Sequence, residues 1–143
     1  MTDLQLRLYF NRIDTLTKDH TAIFGKMGVQ QMMCHCADYF RLILGHKTVP
    51  QNDILRSSEI LDLVRKAKPV DTPKGFGQVE GDGTLPTTFE EDREILKKLM
   101  LEYSKLPTDY TYPEHPYFGR MTKKRWDTFN NFHIRHHLRQ FGV

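Results

Sequence analysis

Apolar side chains recur every three or four positions in four separate stretches of the chain, which is the spacing of one helix face. The first stretch predicts an amphipathic helix over residues 2–17. The second, residues 29–44, is the most apolar segment, and its apolar side chains cover more than one face. We therefore expect this second helix to be largely buried, and Gly45 is suited to end it.

Two further helices are indicated by the residues that come before them. Thr88 stands three positions before Glu91, which is the pattern of a capping box and predicts a helix from about 88 to 105. Thr122 is a suitable N-cap for a last long helix over residues 123–141. Both helices carry apolar residues at helical spacing, so each has a face for a core.

The segments between these helices complete the predicted fold. A short helix is expected over residues 54–67, and two long irregular stretches, 68–87 and 106–121, are expected to be loops. Almost no strand pattern is present. The chain thus predicts an all-α fold: a four-helix up-down-up-down bundle with one short extra helix and two long loops, in a single domain over residues 1–143.

Composition and charge narrow the class of protein. Of the 143 residues, 38% are hydrophobic and 27% are charged, which is the balance of a globular protein. The net charge of +3 is too small to call for a nucleic acid, and no apolar run reaches the length of a membrane span. The first residues lack the apolar run of a signal peptide, so the cytoplasm is the expected location. Cys34 and Cys36 are too close to staple distant segments, and we expect buried free thiols.

The last predicted helix holds the residues with the clearest chemistry. Three of the seven histidines lie there within five positions: His133, His136 and His137. Residues four apart share a helix face, so His133 and His137 can converge on one metal ion, with His136 as another partner for His133. Such a pair needs a third ligand. His35 in the buried second helix is the candidate. Asp38, three residues further on, is either a residue of the solvated helix surface, which we favour, or a partner that orients an imidazole by a hydrogen bond.

Three blocks of sequence carry a resemblance to a known family: GKMGVQQMMCHCADYFRLILG at 25–45, HPYFGRMTKKRW at 115–126 and HIRHHLRQFG at 133–142. They resemble the DinB-like (DinB/YfiT-like) superfamily of helical-bundle proteins, and within it a subfamily of unknown function that ends in HHLRQFG. In that superfamily a histidine of the second helix and an HxxxH pair of the last long helix bind a divalent metal. The resemblance therefore implies His35, His133 and His137 as ligands. Relatives that act on low-molecular-weight thiols imply thiol transfer as a reaction class.

Two functions follow from a three-histidine site. Three protein ligands leave a coordination position open, and a divalent ion lowers the pKa of a bound water to about 7 or deprotonates a bound thiol. We expect a metal-dependent enzyme that acts on a small molecule by hydrolysis or by thiol transfer, with zinc as the default ion and nickel or iron as the others that suit imidazole. The alternative is a non-catalytic metal-binding bundle. A nucleic-acid partner is disfavoured, and a homodimer stays open.

The two long loops are expected to frame the open side of the metal. His115, Tyr117 and Phe118, all in the second loop, are candidates for the rim of that opening. The alternative for Phe118 is that it plugs the end of the core. These loops contain no recognisable ligand-binding motif, so the sequence does not indicate which substrate they would contact.

The last helix also supplies two neighbours of the expected ligands. Gln140 shares the inward face with His133 and His137, so it is a candidate for the lining of the site. His136 is rotated toward the flank of the helix. We expect it to make a hydrogen bond near the site or at the surface, and not to bind the ion.

Overall fold

The computed structural model describes residues 1–50, Glu59 and residues 71–143. In this part of the chain the protein is all-α, without strands and with one isolated bridge between His115 and Gly119. The helices are α1 (Asp3–Asp14), α2 (Val29–Ile43), α3 (Phe89–Ser104) and α4 (Lys123–Gln140). The four long helices predicted from the apolar spacing are therefore confirmed.

A short connecting helix, the direction of the helices and a single domain were also predicted from the sequence. The short helix expected over residues 54–67 lies outside the described residues, apart from Glu59. The up-down-up-down direction of the helices and the single domain stay predictions. Across residues 1–50 and 71–143, no helix combines the length and the apolar composition that a membrane crossing requires.

The starts of the last two helices follow the capping residues in the sequence. The Thr88 hydroxyl accepts a hydrogen bond from the backbone N–H of Glu91 (3.3 Å), and the Glu91 side chain bonds back, so the predicted capping box is present. Thr122 accepts a hydrogen bond from the N–H of Arg125 (3.3 Å) and is the N-cap of α4, as predicted. The Thr122 cap sets where α4, the helix that carries His133 and His137, begins.

The first helix is shorter than the apolar spacing predicts. It ends at Asp14 and does not continue to residue 17. The hydroxyl of Thr15 donates a hydrogen bond to the carbonyl of Arg12 (2.7 Å). Local side-chain bonds of this kind compete with the helical backbone bonds, which explains the earlier end.

The second helix lies at the centre of the packing. It packs against both α3 and α4, and α1 packs against the same two helices. Most of its side chains are buried, as predicted, and the core includes Met32, Phe40 and Ile43 of α2 with Leu96 and Met100 of α3. A polar side chain on such a helix has to find a partner inside the protein, and His35 is one of these.

The Asp38 side chain is a buried anchor for the loop before α3. Its carboxylate accepts hydrogen bonds from the backbone N–H (2.9 Å) and the hydroxyl (2.5 Å) of Thr84, and it forms ion pairs with Lys47 and Arg41, each at 2.9 Å. Burial alone raises the pKa of this carboxyl, but the bonds from Thr84 and Lys47 outweigh it, so the pKa lies below its usual value. Asp38 is fully buried, so the favoured alternative of a solvated surface is wrong. Among the described residues its two oxygens bond to Thr84, Lys47 and Arg41 and not to a histidine, so the alternative that it orients an imidazole is not met either.

The two cysteines of α2 are buried free thiols, as predicted. Burial raises the pKa of both, and that of Cys34 reaches about 12, with the Asp92 carboxylate adding to the effect. Since the thiolate is the reactive form, neither side chain is a nucleophile at neutral pH.

Candidate metal centre

Three histidines meet between α2 and α4. His35 comes from α2, and His133 and His137 lie one turn apart on α4. The Nε2 atom of His133 is 3.1 Å from Nε2 of His35 and 3.1 Å from Nε2 of His137, and one ligand atom from each ring lies within 4.8 Å of the others. Nitrogen ligands about 2.0–2.1 Å from a tetrahedral zinc ion are about 3.3 Å apart. The structure thus brings the three predicted ligands together at a spacing that suits one ion.

Hydrogen bonds on the far side of two rings set which nitrogen carries the proton. Nδ1 of His35 donates to the backbone carbonyl of Phe76 (2.9 Å), and Nδ1 of His137 donates to Oε1 of Gln140 (2.6 Å). In a neutral imidazole the other nitrogen, Nε2, then presents a lone pair. His133 can donate a proton from Nε2 to only one of its two neighbours, so at least one of the two close pairs of Nε2 atoms has no hydrogen bond between its members. A cation would be a partner for all three nitrogens at once, and the donor set therefore fits a divalent ion.

The electrostatics of the cluster also favour neutral imidazoles. Burial lowers the pKa of His35, and it lowers the pKa of His133 and His137 well below the usual value, with mutual repulsion between the rings adding to the effect. Neutral imidazole is the form that binds metals. His35 and His137 are buried, whereas His133 is partly exposed, so His133 is the ligand nearest the solvent.

An aromatic layer covers the cluster toward the loops. Tyr39 meets the ring of His133 edge to face at 4.4 Å, and its own ring is stacked on Phe76 at 4.2 Å. Phe129 is stacked on His133, with ring centroids 5.3 Å apart and an interplanar angle of 15°. These contacts fix the plane of the His133 ring and keep water from that side of it. Among the described residues, His133 is the one ligand whose Nδ1 has no hydrogen-bond partner.

His115 lies behind this layer and not on an exposed rim. It is 1% exposed, its ring lies within 6 Å of the rings of Tyr39 and Phe129, and its Nδ1 accepts hydrogen bonds from the N–H groups of Tyr117 (3.1 Å) and Phe118 (3.3 Å). Its Nε2 is buried without a hydrogen-bond partner among the described residues. Burial lowers its pKa to about 3. The prediction that His115 lines the rim is wrong, because the turn that it organises is folded into the core.

The other two rim candidates are also covered. Tyr117 is 9% exposed, and its hydroxyl donates to the carbonyl of Asp71 (2.9 Å). Phe118 is half-buried and packs on His115 with ring centroids 4.6 Å apart. For Phe118 this favours the alternative that it closes the end of the core.

The two helix neighbours occupy the faces that the sequence indicates. Gln140 is buried and bonds to His137, while His136 is exposed and lies outside the group of three ligand atoms. The ring of His136 packs against Phe24 and Phe132. No hydrogen bond of His136 to a described residue accompanies these ring contacts, so its expected bond stays a prediction.

Two supporting contacts of the site come from individual residues that the sequence did not single out, although one of them, Phe76, lies in the loop 68–87 that was expected to frame the metal. The carbonyl of Phe76 holds His35, and Gly25 lies against the side chain of Gln140. Gly25 has a φ of +88°, and a Cβ there would be 2.5 Å from Nε2 of Gln140. The only signals in the sequence were a glycine in a connection and a PKGFG turn, neither of which specifies a contact across the molecule.

We expect Gln140→Leu to weaken binding of a divalent ion by about 10–100-fold, the range typical when the hydrogen-bond partner of a ligating histidine is removed. The leucine cannot accept the proton of His137 Nδ1, so that ring loses the bond that fixes its tautomer. Competition with a chromogenic chelator measures the change. Gln140→Glu, which keeps an acceptor, serves as the control and should stay within a few-fold of the wild type. Equal affinity of the leucine variant would contradict the role of Gln140.

We also expect the metal-free protein to lose stability as the pH falls below about 6.5. Burial lowers the pKa of His35, His115, His133 and His137 in the folded chain, so the unfolded chain binds more protons in this range. The stability is complete above the unfolded pKa and is lost progressively as the pH falls from there toward the folded value. For His115, with a folded pKa of about 3, the loss between pH 7 and pH 5 is about 2 kcal/mol.

Urea unfolding of the metal-free protein at a series of pH values measures this effect. The control is His115→Leu. In this variant the slope of the unfolding free energy against pH should decrease by the amount that corresponds to the uptake of about one proton. An unchanged slope in that variant would show that His115 is not held neutral by its burial.

Fold and site together define an all-α protein with a cluster of three histidines suited to a divalent ion. Residues 80–142 match a family described as a protein of unknown function (DUF1569). The matched segment contains α3 and α4, and with them His133 and His137, but it does not contain His35. No curated protein and no solved structure matches the chain.

Proposed function

We propose that the protein is a divalent-metal-dependent enzyme of the DinB-like superfamily, built on an up-and-down bundle. The observation that carries this proposal is the convergence of three Nε2 atoms, with His133 3.1 Å from both His35 and His137. Nδ1 of His35 donates to the Phe76 carbonyl and Nδ1 of His137 donates to Gln140, which leaves the Nε2 lone pair of each ring for a cation. Zinc is the ion we expect, with nickel or iron as the others that suit imidazole ligands.

A catalytic role is supported by the number of ligands and by access. Structural zinc sites have four protein ligands, whereas three ligands leave a position for water or substrate. His133 is partly exposed, so a small molecule has a path to the cluster. A bound divalent ion lowers the pKa of a water or thiol that it binds, which provides a nucleophile at neutral pH. We therefore propose hydrolysis or transfer of a low-molecular-weight thiol, with a small-molecule substrate and a cytoplasmic location.

The chain's own residues have defined parts in this function. Phe76 and Gln140 hold the orientation of two imidazoles. Tyr39 and Phe129 close the cluster on the loop side, where they exclude water and confine the approach of a substrate to the side of His133. Exclusion of water strengthens each electrostatic interaction within the site.

One observation favours the alternative, a non-catalytic metal-binding protein. Hydrolysis and group transfer commonly use a general acid or base beside the metal. Asp38 is fully engaged with Thr84, Lys47 and Arg41, and His115 lies behind the aromatic layer. Asp38 and His115 are therefore not placed to act as an acid or a base at the cluster.

Elemental analysis of the purified protein, followed by activity screens, tests both the enzymatic function and the non-catalytic alternative. One ion per chain, together with turnover of thiol cofactors, simple esters or amides that disappears in His133→Ala, would support the enzyme. One ion per chain without turnover in any screen would favour the non-catalytic alternative. Absence of a bound ion after reconstitution with zinc, nickel or iron at neutral pH would overturn both. His136→Ala is the matched control for metal binding and should retain the ion.

A further inference from the structure

An exposed aromatic cluster lies beside the histidines. It consists of Phe24, Phe132 and His136, and we call it the aromatic rim. Phe24 and Phe132 are 46% and 45% exposed. The ring of His136 meets Phe24 edge to face at 5.6 Å and is stacked with Phe132 at 6.1 Å. Three rings from two separate segments thus form one outward-facing surface, which is more than a scattering of single exposed apolar residues.

The aromatic rim borders the opening of the metal site. His133 is the partly exposed ligand, and on α4 it is next to Phe132 and one turn from His136. On its other flank α4 is buried, with Asn130 and Ile134 covered by the core. The ring of His136 also contacts the ring of His137, with centroids 5.1 Å apart. A molecule that enters along His133 therefore passes over the rim.

The loop part of the rim is fixed to the same residue that supports the site. The backbone N–H of Ile23 donates to the carbonyl of Gln140 (2.6 Å), while the Gln140 side chain holds His137. Gly25 lies against the Gln140 amide with no room for a Cβ. The position of Phe24 is therefore tied to the position of the ligands, as expected for a surface that works together with them.

The charged side chains of the two segments that form the rim are all positive. These segments, residues 20–28 and 128–143, contain no aspartate or glutamate. They contain the exposed cations Lys26, Arg135 and Arg139, and no ion pair joins these three to a described residue. Arg139 is close enough to His136 to lower its pKa, after burial as the larger cause. An aromatic surface with unpaired guanidinium groups is complementary to an aromatic ring that bears a carboxylate.

We propose that the aromatic rim binds the non-reacting part of the substrate, and that this part is an aromatic ring with an anionic group. The proposal rests on the proposed function, since it takes the three histidines as an open metal site. The donor atom of the ligand reaches the ion past His133, its ring lies against Phe132 and Phe24, and its anionic group faces Arg135 or Arg139. The rim contacts no reacting atom in this arrangement. Its role is to select the substrate, and that role is the same for hydrolysis and for thiol transfer.

A set of four thiols separates the ring from the charge in a binding experiment on the cobalt-substituted protein. The probes are 2-mercaptoethanol (neither feature), 3-mercaptopropionate (charge), benzyl mercaptan (ring) and 4-(mercaptomethyl)benzoate (both). Binding is followed by the thiolate-to-cobalt absorption band. We expect 4-(mercaptomethyl)benzoate to bind at least about 10-fold more tightly than 2-mercaptoethanol, with the two single-feature probes in between.

Variants show whether the preference comes from the rim. Phe132→Ser and Phe24→Ser should bring benzyl mercaptan toward the affinity of 2-mercaptoethanol. The double variant Arg135→Gln/Arg139→Gln should bring 3-mercaptopropionate toward 2-mercaptoethanol and 4-(mercaptomethyl)benzoate toward benzyl mercaptan. All of these variants should keep the cobalt content of the wild type. Leu8→Ser, which changes another exposed apolar residue (54% exposed) on α1, is the control and should keep the preference.

The outcomes separate the rim proposal from the open metal site. If all four thiols bind equally, or if the rim variants keep the wild-type preference, the rim proposal is overturned while the open metal site stands. If no thiol changes the cobalt spectrum, the open site and the rim proposal fail together.

Discussion

His133→Ala will lower the affinity for a divalent ion by more than about 100-fold, which exceeds the typical effect of changing a residue that only supports a ligand. The reason is that His133 is the central ligand of the cluster, because its Nε2 is 3.1 Å from Nε2 of both His35 and His137. His35→Ala and His137→Ala should have effects of similar size. Metal content after dialysis and competition with a chelator of known affinity provide the measurement.

His136→Ala is the matched control for this series, because it removes an imidazole from the adjacent position of the same helix. We expect its affinity to remain within a few-fold of the wild type, since the exposed His136 lies outside the cluster. The assignment of ligands fails if His136→Ala loses the ion while His137→Ala keeps it.

Asp38→Ala will lower the free energy of unfolding by about 3 kcal/mol. The substitution removes the acceptor for both donors of Thr84 and leaves the largely buried cations of Lys47 and Arg41 without their partner. Partial access of water to the two cations keeps the loss at the lower end of the range for a buried pair. Urea unfolding at pH 7 measures it.

The control for Asp38 is Glu90→Ala, which removes an exposed ion pair with Arg93 and should change the unfolding free energy by no more than about 0.5 kcal/mol. A loss below about 1 kcal/mol for Asp38→Ala would show that the loop before α3 is held by other contacts. The metal affinity of Asp38→Ala at low denaturant should change less than that of His133→Ala, since Asp38 does not touch a ligand.

The helices and the three histidines were predictable because each depends on local sequence. A capping box needs only Thr88 and Glu91, and a shared helix face needs only the spacing of His133 and His137. The third ligand, His35, followed from the chemistry of the pair and from a family resemblance, and its distance to His133 in the structure is consistent with that choice.

The supporting contacts were not predictable because they depend on where loops lie across the molecule. His35 bonds to a backbone carbonyl 41 positions away, a group that every residue carries and that no motif identifies. Asp38 was a candidate for the site because it follows His35 by one turn. In the structure its carboxylate instead bonds to Thr84, 46 positions further along the chain. His115 lies in a loop whose composition does not reveal its burial.

The separation of the ligands along the chain makes a bound ion a cross-link as well as a cofactor. His35 and His133 are 98 positions apart, so an ion held between them closes a long loop that includes α3. Closure of a loop of that size by a disulfide lowers the entropy of the unfolded chain by an amount worth about 4–5 kcal/mol, and an ion that stayed on two ligands in the unfolded chain would act in the same way. An ion that binds the folded chain also stabilises it by mass action, so the free energy of unfolding would rise with the concentration of the ion that the proposed site takes.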